Sequence, residues 1–314
     1  MPLVMENDAR RVAVERLSNA DRLWTDVALP YGNRVSLTLP ADLFGRSVQV
    51  FFVPIQEQQA DEATDALKDE LLRSLAALPE QYATGNWNGY GEKPLNLVFL
   101  GDSVTQGCFE CYYDNDGMLC TRFDRSAAYS TKLGEMLAQL YPCAQVNIVN
   151  SGLSGDGTDG GLKRFDRDVA PYSPDLVVLG FALNDCMGGR EKLNNYTDNI
   201  AKLIAKSKAL GAEVIVLTPN MLNTEVSCHL SDDRLKKIAK DFMTKQGVLD
   251  EYVGALKVTA EKCGAKVCDV HKFWKQMNEN GVDVTELLAN KLNHPVPQLH
   301  YYTAIKLLEI MLDN

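Results

Sequence analysis

The stretch Leu95-Asn96-Leu97-Val98-Phe99-Leu100-Gly101-Asp102-Ser103-Val104-Thr105-Gln106-Gly107 decides the fold. Its apolar run breaks at Gly101 and has the unbroken hydrophobicity of a strand buried on both faces of a parallel sheet. The run ends in Gly101-Asp102-Ser103, at the predicted C-terminal end of the strand, where open α/β sheets place their chemistry. A serine there, among small residues, is a candidate nucleophile. Gly-Asp-Ser is also ordinary turn composition, so the rest of the chain has to decide.

C-terminal to this stretch, strand and helix patterns alternate. Strands are expected over residues 145–150, 175–180, 212–218 and 265–270. Helices are expected over 127–141, 158–169, 192–210 and 232–263, the last with a break at Gly247, and a closing helix over 298–312. Strands separated by helices imply right-handed crossovers and a parallel sheet. The fold class is therefore α/β, a three-layer α/β/α body over residues 95–314 with five parallel strands. N-terminal to it, residues 1–60 carry short strand-like runs separated by turns and form a small β-rich region. Residues 61–94 supply a helix, with Leu67, Leu71, Leu75 and Leu78 at helical spacing, then a glycine-rich linker holding Trp87 and Tyr90. A segment the size of residues 1–60 is marginal alone and is expected to pack on the body or on a second subunit; a dimer stays open.

Of the 314 residues 46% are hydrophobic, enough for a sizeable core, and the formal charge of −10 argues against nucleic acid or an anionic membrane as partner. No window has the roughly 18 apolar residues of a membrane helix, and the first residues lack a signal-peptide pattern. Eight cysteines without such a signal fit a reducing cytosol. A cytoplasmic location is the expectation.

A serine nucleophile needs a base within hydrogen-bond reach and donors aimed at the oxyanion. The second body strand ends in Asn150-Ser151-Gly152, where a glycine lets backbone N–H groups approach a substrate. The third ends in Gly180-Phe181-Ala182-Leu183-Asn184, which brings an amide donor to the same rim. Asn293-His294-Pro295 precedes the closing helix. Of four histidines, His229 lies in a connecting loop, His300 in the closing helix, and His271 after the fifth strand. His294 is the best-placed base and His271 its main rival.

Ser103, Gly152, Asn184 and His294 together resemble the four blocks of the SGNH (GDSL-type) family of esterases and lipases. The resemblance spans the α/β body and not residues 1–60, and Val104 stands where the family has its name-giving Leu. It implies a flavodoxin-like sheet, Ser103 as nucleophile and His294 as base. It also implies an oxyanion hole of the Ser103 N–H, the Gly152 N–H and the Asn184 side-chain amide, with no cofactor and no metal. Two departures stand out. The family usually has an Asp three or four residues before the His, where this chain has Lys291 and Asn290. Asn290 is the candidate orienting residue, through its amide oxygen; a backbone carbonyl, Asp283, Glu286 or Asp269 are the other options. Ala182 stands where a Gly is common. The Asn-His-Pro motif with Asn290 resembles the carbohydrate deacetylase branch, which implies a small-molecule substrate, a short-chain O-acetyl sugar ester. Lipase or thioesterase activity, or a non-catalytic binding protein on the same scaffold, are the alternatives.

Cys108, Cys111 and Cys120 follow the nucleophile closely. A zinc site would need a fourth ligand that the spacing does not supply, so they are read as free thiols on a loop that shapes the pocket. Asp114 and Asp116 do not make a calcium loop. Neither phosphate-binding glycine motif follows the first body strand, which excludes a nucleotide-binding reading. The loop over residues 220–231 is a possible lid.

Overall fold

The computed structural model describes residues 94–140 and 144–312. The expectations for the β-rich region 1–60, the helix at 61–83 and the linker with Trp87 and Tyr90 lie outside the described residues.

Strand β1 (Leu95–Gly101) is the centre of the sheet, and Leu97, Val98, Phe99 and Leu100 have no exposed surface. Burying each such side chain stabilises by about 1.5–3 kcal/mol relative to leaving it in water, which is why this run takes the middle of the sheet. It pairs in parallel with β4 (Val146–Gly152) on one side and β5 (Leu176–Gly180) on the other. Beyond β5 come β6 (Glu213–Leu217) and β7 (Lys266–Cys268), giving the order β4-β1-β5-β6-β7. The first connection runs to one side of β1 and the next crosses to the other. A crevice opens where the strand order reverses, at the C-terminal end of β1, and Ser103 stands there.

Because side chains alternate along a strand, the sheet offers two apolar faces. Val98, Leu100, Val177, Leu179, Val214 and Val216 join one cluster with Phe165 of α3 (Thr158–Asp168), Ile200 and Leu203 of α4 (Leu193–Ala209), and Tyr252 and Leu256 of α6 (Gln246–Lys262). The opposite face is covered by α2 (Tyr129–Leu140) and α8 (Pro297–Leu312), which pack on each other. Phe99 meets Tyr129 there edge to face, with ring centroids 5.8 Å apart.

Within the described residues the predicted elements are present with ends shifted by at most two residues, and the differences are local. The stretch after Ser103, expected as a loop, is a hairpin of β2 (Cys108–Tyr113) and β3 (Leu119–Phe123). Asp114 closes its turn by accepting the N–H groups of Asp116 and Met118, an Asx-type turn rather than an ion site. The long helix divides into α5 (Asp233–Met243) and α6, with the break at Thr244–Lys245 instead of Gly247, which is taken inside α6. A further helix, α7 (Val270–Glu279), follows β7; Asp269-Val270-His271 has the pattern of a helix start, Asp269 accepts the Lys272 N–H, and the helix buries Val270, His271 and Trp274.

Ala182 is fully buried with φ 152°, a backbone conformation that side chains with a Cβ rarely adopt. Such strain costs of order 1–3 kcal/mol, while glycine costs somewhat under 1 kcal/mol in added freedom of the unfolded chain. Ala182→Gly is therefore expected to raise unfolding stability by about 1 kcal/mol, read as a higher urea midpoint at unchanged slope. A lower midpoint would show that the site is unstrained.

Candidate active site

Ser103 opens a four-residue helix, α1 (Ser103–Gln106). Asp102 caps it by accepting the Val104 N–H at 2.9 Å, and Gly107 ends it at φ 88°. The Ser103 N–H is one of the donors that a helix N-terminus leaves without an intrahelical acceptor. Beneath α1 the strand register sets three glycines in a row, Gly152 and Gly180 flanking Gly101. A Cβ at Gly152 would fall 2.2 Å from the Gln106 nitrogen, and one at Gly101 only 2.0 Å from Thr105 Oγ1. Three bare backbones let the short helix settle onto the strand ends. This is a different use of Gly152 from the expected one. Its own N–H donates to Asn150 Oδ1 at 3.0 Å.

Asn184 follows β5, and its Nδ2 donates to the Asp156 carbonyl at 2.7 Å. The Asp156 carboxylate in turn pairs with Arg164 at 2.6 Å. Arg164 is buried and also donates to the carbonyls of Gly101 at 2.8 Å and Ser151 at 2.5 Å. A buried guanidinium is tolerated only when its donors are satisfied. Here it ties the ends of β1 and β4 to the loop that holds Asn184. Arg164 and Asp156 escaped the sequence reading, because a crossover helix, not spacing, brings them to the rim.

His294 comes from the far end of the chain. Its Nε2 lies 2.9 Å from Ser103 Oγ, and both side chains are buried. The turn that carries it is organised by Asn290, whose Oδ1 accepts the N–H groups of Leu292, Asn293 and His294 at 3.0–3.1 Å. The segment over residues 220–231 braces this turn: Asn220 Nδ2 donates to the Asn293 carbonyl at 2.9 Å, and the Asn223 N–H to the Leu292 carbonyl at 2.9 Å. Those two bonds make its first residues a strut for the turn.

With its oxygen committed to the backbone, Asn290 presents its NH2 group to the imidazole, Nδ2 standing 3.1 Å from His294 Nδ1. The expectation that the amide oxygen meets the ring is corrected here. The nearby acceptor at Nδ1 is Cys111 Sγ, at 4.0 Å, which also receives Asn290 Nδ2 at 3.7 Å. The other acids considered are engaged elsewhere. Asp283 accepts the Thr285 N–H, Glu286 pairs with Lys291 and Ser227, and Asp269 pairs with Lys257. His271, the rival base, is held between Asp250 at 2.9 Å and the Pro219 carbonyl at 3.0 Å.

Burial pushes the Asp102 carboxyl up to about 7, against the pull of the Val104 N–H and His294. Hydrogen bonds from the Cys108 thiol, His294 and Asn290 hold the Cys111 thiol well below its usual range, while the same sharing and its burial push Cys108 up. The donor atoms of Cys108, Cys111 and His294 all lie within 4.8 Å of one another.

A cavity adjoins the Ser–His pair, lined by Asp102, Thr105, Tyr129, Trp274, Pro295 and His300 among others. His300 accepts the Tyr129 N–H through Nδ1, and its Nε2 is buried without a partner. Burial, and then the charge of His294, depress it from 6.5 to about 3. The folded protein keeps His300 neutral, so below pH 6.5 the unfolded chain gains a proton that the native state refuses, and stability falls as pH falls. His300 alone should remove about 2 kcal/mol between pH 7.5 and pH 5. His300→Gln, which keeps an acceptor for Tyr129, should shrink that loss in pH-dependent urea titrations. An identical loss in both proteins would rule His300 out as its source.

A family model described as GDSL-like lipase/acylhydrolase matches residues 99–301, more than half of the chain, including the end of β1 and the His294 turn. This chain belongs to the GDSL-like lipase/acylhydrolase family. An acetylxylan esterase of Geobacillus stearothermophilus is 29% identical over 140 residues, covering 42% of this chain and 61% of that protein. An arylesterase of Vibrio mimicus is 31% identical over 98 residues, 29% of this chain and 48% of that protein. The chain thus spans about half to three fifths of the length of these relatives. The crystal structure of a lipase/acylhydrolase from Enterococcus faecalis shares the fold, with a TM-score of 0.51 at 20% identity over 68% of this chain and 94% of that one. Among the described residues, no helix of this GDSL-family protein is long and apolar enough to cross a membrane.

Proposed function

We propose that this protein is a serine carboxylic ester hydrolase acting through an acyl-enzyme, and that its substrates are short-chain O-acetyl esters of carbohydrates. The observation that carries the reading is the 2.9 Å contact of Ser103 Oγ with His294 Nε2, between residues far apart in the chain. A serine hydroxyl is a poor nucleophile at neutral pH unless a neutral imidazole takes its proton. Ser103 Oγ attacks the ester carbonyl carbon as His294 Nε2 accepts the hydroxyl proton. That proton is returned to the leaving alcohol oxygen, the C–O bond breaks, and the acyl group stays on Ser103. Water, deprotonated by His294, then releases the acid. For this Nε2 must be unprotonated, so the neutral imidazole carries its hydrogen on Nδ1, directed at Cys111 Sγ, against the preference of the Asn290 NH2 for the opposite tautomer. The Ser103 N–H and the Asn184 amide are the candidate donors to the oxyanion. The Gly152 N–H joins them when its bond to Asn150 opens.

The sugar-acetate part of the reading is supported by the acetylxylan esterase relative and by the Asn-His-Pro turn. Hydrolysis of a p-nitrophenyl ester series, acetate to decanoate, followed by acetate release from acetylated xylooligosaccharides, tests it. The fastest rate is expected on acetate. A maximum at long chains would move the substrate to lipids or thioesters, and rates at background throughout would favour a binding protein.

A further inference from the structure

We propose that Cys108, Cys111 and His294 form a site for a thiophilic cation, Zn²⁺ above all, whose occupation switches off Ser103. Two cysteines three residues apart on a regular strand point to opposite faces. Here the β2–β3 register slips between Cys108 and Glu110, a bulge that adds one residue and brings both thiols to the same side. The third ligand, unseen in the spacing of the cysteines, is the imidazole Nδ1 from the turn before α8. Cys108 and His294 are buried, and Cys111 is half-buried, which leaves the site reachable from outside.

All three donor atoms lie within 4.8 Å of one another, and Cys111 Sγ is 4.0 Å from Nδ1. Tetrahedral zinc with two thiolates and one imidazole needs separations of about 3.6–3.8 Å, so closing the site takes at most about 1 Å of side-chain movement. The Asn290 NH2, now against Nδ1 and Cys111 Sγ, gives up those two contacts to the ion. Two sulfurs and one imidazole select Zn²⁺ over Mg²⁺ or Ca²⁺, and the fourth position is left for water. Cys120 is not part of the site, because its thiol donates to Asp114 on the far part of the hairpin.

An ion on Nδ1 takes that lone pair and leaves the remaining ring hydrogen on Nε2, aimed at Ser103 Oγ. Nε2 then donates and cannot accept the hydroxyl proton. Binding of the ion stands by itself; the loss of turnover rests on the ester-hydrolase reading.

The test uses the reduced, metal-free 314-residue chain titrated with Co²⁺ and then Zn²⁺. About one equivalent of Co²⁺ should give a thiolate-to-cobalt charge-transfer band that Zn²⁺ displaces. Cys108→Ser and Cys111→Ser should each lose the band, whereas Cys228→Ser, at an exposed thiol, should keep it. In parallel, Zn²⁺ should lower p-nitrophenyl acetate hydrolysis by about 100-fold, and a chelator should restore it. No band, or a band that survives both substitutions, overturns the site. A band with undiminished hydrolysis overturns the switch. A protein that binds Co²⁺ through both thiols yet hydrolyses no ester refutes the hydrolase reading and leaves the metal site standing.

Discussion

Ser103→Ala is expected to lower kcat on p-nitrophenyl acetate by about 10⁴-fold or more, with KM little changed. The hydroxyl oxygen is the atom to which the acyl group would transfer, and it stands 2.9 Å from His294 Nε2. His294→Ala should cost a similar factor, and the double variant should be no slower than either single one, because the pair acts as a unit. Wild-type rates in either single variant would remove the Ser–His pair from the mechanism. Circular dichroism of Ser103→Ala should match the wild type, since the change deletes one buried oxygen.

Gly152→Ala is expected to be the most damaging single-methyl change in the described body. The added carbon would stand 2.2 Å from Gln106 N, 2.6 Å from its Cα and 2.7 Å from Thr105 C. These are backbone atoms of α1, which cannot swing aside as a side chain can. Overpacking usually costs about 1–3 kcal/mol, and a clash with backbone on this scale belongs at or above the top of that range. Relief requires α1 to lift off the strand ends and to carry Ser103 away from His294. A displacement of about 1 Å can cost 100-fold in rate, so activity should fall even in the fraction that stays folded. Thermal unfolding with active-site titration of the folded fraction separates the two effects. A variant with wild-type melting and turnover would mean that α1 does not rest on Gly152.

The sheet was legible because its strands are buried on both faces and therefore read as continuous apolar runs. Ser103, Gly152, Asn184 and His294 stood out because each stands at a strand end or just before the closing helix. The hairpin was harder. Its strands carry Glu110 and Arg122 among aromatics, and they belong to no buried sheet, so their period-2 pattern is faint, although Asp114-Asn115-Asp116-Gly117 is a turn signal. The start of helix α7 was legible at Asp269-Val270-His271, but its length was not, because only Val270, His271 and Trp274 of its ten residues are buried. What surrounds His294 was readable only in part. Asn290 was singled out by its spacing, but which end of its amide meets the ring depends on three backbone N–H groups that only the folded turn brings to Oδ1. Cys111 lies 183 residues from its imidazole neighbour, a separation at which sequence carries no signal.

The Ser103–His294 contact closes a loop of 191 residues. Contacts of such long range are made late, after the loop entropy of the intervening chain has been overcome. A ribosome-bound chain that has exposed β1 and even β6 already displays the serine on a nearly finished sheet, yet lacks the imidazole and the α8 helix that packs on α2. Until the residues beyond Asn290 leave the exit tunnel, the nascent protein holds an inert hydroxyl. On the proposed mechanism, Ser103 gains its base only as synthesis of the body ends.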